Sequence, residues 1–91
     1  MLSFLPKNPN VIMDELKSKF KTRRKSIKLS QIELSKKADV SLGSLKRFEQ
    51  SGQISLESLL KIAFVLECLD DFGGVCTESE KKFESMEEVL Q

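Results

Sequence analysis

Seven of the twelve residues from 17 to 28 are Lys or Arg. A run this basic on one element offers a surface for phosphate, or else forms a solvated helix face. Charge alone leaves both readings open. Residues 1–61 hold 13 Lys and Arg against 6 Asp and Glu, while residues 62–91 hold 2 against 8. The whole-chain charge of +1 therefore conceals a basic portion of +7 and an acidic end of −6. Such a split fits a polyanionic partner on one side, with the acidic end turned away from it.

Other chemistries lack their residues. The chain has no His, and so lacks the usual general base near neutral pH and the commonest zinc ligand. Cys68 and Cys76 are spaced too widely for a zinc-binding pair. Gly73-Gly74 is an isolated pair, not a phosphate-cradling loop. No catalytic residue, metal ligand or cofactor is expected, and the chain does not read as an enzyme. Two cysteines form no disulfide framework, which fits a reducing cytoplasm. The longest apolar run, residues 62–66, is far too short to span a membrane. Residues 1–6 lack the basic start and cleavage site of a secretory signal. With 91 residues, 40% hydrophobic and 32% charged, the chain suits one soluble domain.

The elements that position these residues read as helices. The pattern predicts an all-α fold, a compact bundle of about five helices. Residues 1–10 form an N-terminal extension, 11–73 the folded domain and 74–91 an acidic tail. Asn10 is the expected cap of the first helix, which places Ile12, Leu16, Phe20 and Ile27 on one side. Ser30 and Glu33 form a capping box that opens the second helix, with Ile32, Leu34 and Ala38 as its apolar residues. Ser41 opens the third helix three residues after the second ends. Leu45 and Phe48 share its inner side; Gly43, Lys46, Arg47 and Gln50 project outward. Gly52 suits a left-handed end to that helix.

Ser55 caps a fourth helix over residues 56–67, and this helix is apolar over most of its circumference. Leu56, Leu59, Leu60, Ala63 and Phe64 make one stripe; Ile62, Val65, Leu66 and Leu69 make another. One small core cannot cover both, so the second stripe is expected to be a dimer interface. A short fifth helix is expected over residues 69–72. Ser85 and Glu88 form a further capping box, which favours helix in the tail.

Two short helices joined by three residues, the second presenting small and basic side chains, describe a helix-turn-helix. The run from Leu29 through Gly52, LSQIELSKKADVSLGSLKRFEQSG, resembles the XRE family, the repressors of the phage lambda repressor and Cro type. Residues 54–63, ISLESLLKIA, are similar to that family's fourth helix. The resemblance covers about residues 16–72 and implies a lambda-repressor-like fold whose third helix enters the major groove of double-stranded DNA. It implies phosphate contacts at Gln31 and Gln53, and recognition-helix positions at Ser41, Leu42, Gly43, Ser44 and Arg47. Gln31 should also orient base-reading side chains. It further implies a buried ion pair between Arg24 and Glu49. The residues themselves add further candidates. The amides capped by Ser30 point at phosphate, and Arg47 is the strongest candidate to read a base. Lys46 is a phosphate neighbour or a solvated charge, and Gln50 projects from the same outer side.

Two positions depart from the family pattern. Asp39 stands where the turn usually has Gly, and Gly43 where a base-reading side chain is common. Leu42 could offer only an apolar contact, such as to a thymine methyl. The expected function is a sequence-specific transcriptional regulator, a repressor that binds an inverted repeat as a homodimer. The alternative is an antitoxin that neutralises a partner toxin and represses their shared promoter. Leu2, Phe4 and Leu5, together with the acidic tail, would then hold the toxin.

Overall fold

The structure is a computed structural model and describes residues 7–77. Five helices and no strand occur among them: α1 (Pro9–Ser26), α2 (Gln31–Ala38), α3 (Leu42–Ser51), α4 (Leu56–Val65) and α5 (Asp70–Gly73). Leu2, Phe4, Leu5 and the Ser85–Glu88 box lie outside the described residues. Helix α3 packs on α1 and α2, and α2 packs on α4.

Local hydrogen bonds start each of the four longer helices. Ser30 Oγ accepts from Glu33 N at 3.0 Å, and Glu33 Oε1 accepts from Ser30 N at 2.8 Å, closing the expected box. The Ser30 backbone amide, and after it the Ser30 hydroxyl, hold the exposed Glu33 carboxyl below the usual glutamate range. Ser41 Oγ caps Ser44 N and Ser55 Oγ caps Ser58 N, both at 3.1 Å. Helix α1 departs from expectation: Asn8, not Asn10, is its cap. Asn8 Oδ1 accepts from Val11 N at 2.9 Å, and Pro9 takes the first helical position. Proline suits that position because its missing N–H would have no helical partner there.

Three helices close on non-glycine residues in the left-handed region: Lys28 (φ 63), Asp39 (φ 56) and Glu67 (φ 62). After α2, Val40 N donates to Ser35 O at 3.0 Å and Asp39 N to Lys36 O at 3.3 Å. This paired closure is a Schellman motif, and it buries Val40. The same pair of bonds ends α4 through Cys68 and Glu67. Helix α4 therefore stops at Val65, two residues earlier than its apolar pattern predicts. Gly52 (φ 81) ends α3, and a Cβ there would lie 2.9 Å from both Met13 Cβ and Met13 O. Glycine is required at this position by conformation and by the close approach of α1.

The core is built from Phe20, Leu34, Ala38, Val40, Leu45, Phe48, Leu59, Ile62, Ala63 and Leu66. Phe20 stands edge-on to Phe48 at 5.5 Å between ring centroids, and at 6.2 Å from Phe72. Several apolar residues fall outside this core. Ile32 is exposed because residues two apart do not share a helix face, and Leu34 and Ala38 hold the inner one. Ile12 is exposed near the start of α1, and Ile27 lies in the turn beyond its end.

The expected dimer stripe is corrected in the same way. Ile62 and Leu66 are 0% exposed, within the chain's own core, and cannot meet a second chain. Helix α4 buries Leu59, Ile62, Ala63 and Leu66, a set drawn from both predicted stripes. Val65 is left half-buried and Leu69 at the surface. Phe64 is exposed beside them and the half-buried Leu60, and Leu56 is exposed at the start of the helix.

Candidate nucleic-acid interface

One buried network fixes the orientation of α3. Arg24 on α1 meets Glu49 on α3 through two bonds, Nε to Oε2 at 2.7 Å and Nη2 to Oε1 at 3.1 Å. Their side chains are 8% and 3% exposed. Arg24 Nη1 also donates to Leu29 O at 2.8 Å, which ties down the turn between α1 and α2. Gln31, the first residue of α2, donates Nε2 to Glu49 Oε1 at 2.9 Å. A carboxylate only accepts, so the glutamine must present its NH2 group here. Burial alone would push the Glu49 carboxyl up. The bonds from Arg24 and Gln31, with the charges of Arg24 and Lys21, outweigh that and hold it below the usual range. Glu49 is thus a charged anchor joining three helices. Lys17 adds a bond from α1, Nζ to Gln50 O at 2.9 Å.

This frame leaves one side of α3 open to solvent. Gly43, Ser44, Lys46, Arg47 and Gln50 are exposed, as are Ser41 before the helix and Gln53 after it; Leu42 is half-buried. The Ser41 hydroxyl donates to Ser44 Oγ at 2.8 Å while capping the helix, so both are held in place. Arg47 donates from Nε at 3.1 Å and Nη2 at 2.7 Å to Gln53 Oε1. Because a guanidinium only donates, Gln53 must offer its oxygen. Ser51 fixes the turn between them, its hydroxyl donating to Arg47 O at 2.7 Å and accepting from Gln53 N at 3.1 Å. A Cβ added at Gly43 would meet nothing within 4 Å. Ser30 is exposed and Gln31 half-buried at the start of α2.

A family model described as helix-turn-helix matches residues 20–68, more than half of the chain. The chain belongs to the helix-turn-helix family. It is a DNA-binding transcription regulator of the XRE type. No match was found among curated proteins, and none among solved structures. In this helix-turn-helix protein α2 and α3 are the paired helices and Asp39–Ser41 is the turn, with Asp39 supplying the left-handed residue.

Sequence spacing did not reveal how the helix-turn-helix residues join one another. Gln31 is turned inward to Glu49, so its side-chain amide nitrogen is engaged within the fold. Gln53 is joined to Arg47. Ser35 is buried, its hydroxyl donating to Ile32 O at 2.8 Å. Arg23 donates Nε to Leu66 O at 2.8 Å and so holds the end of α4 against α1. These partners lie up to 43 residues apart. The Asn8 cap, by contrast, was marked by the adjacent Pro9. Among the described residues no three His, Cys, Asp or Glu side chains come together, and no helix is long and apolar enough to cross a membrane. Cys68 is half-buried and its thiol is pushed up by burial and by Asp71.

Proposed function

We propose that the protein is a repressor that binds an inverted-repeat operator as a homodimer, with α3 in the major groove. The observation that carries this reading is the open face of α3, held by the buried Arg24–Glu49–Gln31 network and lined by Ser44, Lys46, Arg47 and Gln50. Ser30 and Gln31 direct the first amides of α2 at a phosphate, and Ser41 does the same at α3. Gln53 occupies the Nε side of the Arg47 guanidinium, which leaves its Nη1–Nη2 edge for the two acceptors of a guanine. Gln53 thus serves DNA by aiming Arg47 and by contacting the backbone through its own NH2. Lys46 and Gln50 contact phosphate. Gly43 lets the helix approach the bases closely, and Leu42 meets a thymine methyl.

Two copies related by a two-fold axis would set their recognition helices about 34 Å apart, one turn of DNA. With four to five phosphate contacts per protomer, the log of the binding constant should fall against log salt with a slope of about −6 to −9. Titration of the gene's own upstream DNA over a salt series tests this. A slope near −1, or no retarded complex at low salt, would sink the reading.

A further inference from the structure

We propose that the outer face of α4 is the seat for a second copy of this chain, which rests on the homodimer reading above and assigns its surface. Phe64 is 71% exposed, the most exposed large hydrophobic among the described residues. It stands beside a shallow groove of about 420 Å³ floored by Leu60, Val65 and Leu69 and flanked by Lys37 and Lys61. Knob and hollow therefore lie on the same patch. That is what a two-fold interface requires, because each copy must offer both halves of the contact. The Phe64 ring of each copy enters the groove of the other.

The charges are self-complementary too. Glu57 on the same groove is exposed and carries the sign opposite to Lys37 and Lys61. Lys61 lies 3.7 Å from Glu57 and 3.8 Å from Asp39, through ion pairs open enough to exchange for contacts across a two-fold axis. An unrelated partner would need no such balance within one patch. None of these residues belongs to the open face of α3, so the pairing leaves that face free for DNA. The second groove, between α1 and α5, has Val75 on its rim and lacks a comparable projecting ring.

Sedimentation equilibrium of the full chain tests the assignment with Phe64→Glu and Val75→Glu, two substitutions at exposed positions. The wild type should be a dimer. Phe64→Glu should raise the dimer dissociation constant at least about 100-fold with an unchanged circular dichroism spectrum. Val75→Glu should leave dimerisation as it is. Phe64→Glu should also lose affinity for a full operator while keeping wild-type affinity for a single half-site. A wild-type dimer that persists in Phe64→Glu, or dissociates in Val75→Glu instead, overturns this surface and leaves the homodimer reading standing. A wild type that is monomeric at tens of micromolar overturns both.

Discussion

On the open face of α3, polar groups are already joined before any ligand arrives. Ser41 holds Ser44, Gln53 holds Arg47, and Glu49 anchors the helix from below through Arg24 and Gln31. On the outer face of α4, only 3.7–3.8 Å ion pairs cross a surface that exposes Phe64 and Leu56. The contrast follows from what each face can gain by contact. A hydrogen-bonding surface must fix its donors in advance, since ordering long side chains at binding costs affinity. An apolar surface gains by losing water, which requires area and shape but no prior bonds.

The largest effect should come from the anchor of the first face. Glu49→Ala leaves the Arg24 guanidinium buried without its partner and should cost about 3–5 kcal/mol in chemical denaturation. The same anchor sets an acid limit. The Glu49 carboxyl is held below its ordinary range in the folded state, so its contribution is complete above the unfolded glutamate pKa, about 4.3. It is lost as pH falls through the lower folded value. A denaturation series below pH 5 should therefore show stability falling, and falling less steeply in Glu49→Gln. If Glu49→Ala costs under 1 kcal/mol, the pair does not hold α3 and the contrast between the faces fails. Phe64→Glu, on the other face, should change the stability of the monomer, measured below the dimer dissociation constant, by only about 0.5 kcal/mol.

A smaller effect is expected from Arg47→Ala. It should cost about 1–3 kcal/mol of operator affinity and relax preference at one base pair, read by titrating a set of single-base operator variants. An equal loss on every variant would make Arg47 a phosphate contact and the Gln53 bond incidental. The smallest change sharpens the account of Gly43. With open space around its Cβ position, Gly43→Ala should raise stability by up to about 1 kcal/mol in thermal melts. Operator affinity should fall in the same variant if α3 approaches the bases closely there, and stay level if it does not.

Much of the helix-turn-helix was legible in the sequence because its signals are short-range. Ser30 and Glu33 are three residues apart, as are Ser41 and Ser44, and Ser55 and Ser58. Bonds of that span form whatever the rest of the chain does, so residue type and spacing alone place the starts of α2, α3 and α4. The joined polar pairs were not legible as pairs. Gln31 and Glu49 are 18 residues apart, and no local rule selects one acceptor over another at that distance.

Helix α4 marks where local reading runs out. Its sequence determined that a helix forms and that it is apolar nearly all round, but the stripe it assigned to a partner chain supplies Ile62 and Leu66 to the core. Only the tertiary structure chose, by docking α4 on α2 with Leu59, Ile62, Ala63 and Leu66 in the shared core and tying Leu66 O to Arg23. Turning α4 by a fraction of a turn exchanges one apolar set for another at little cost in transfer free energy, so hydrophobicity alone does not fix the angle. Close packing fixes it, because the spaces left by Phe20, Leu34 and Phe48 accept only one set of side chains.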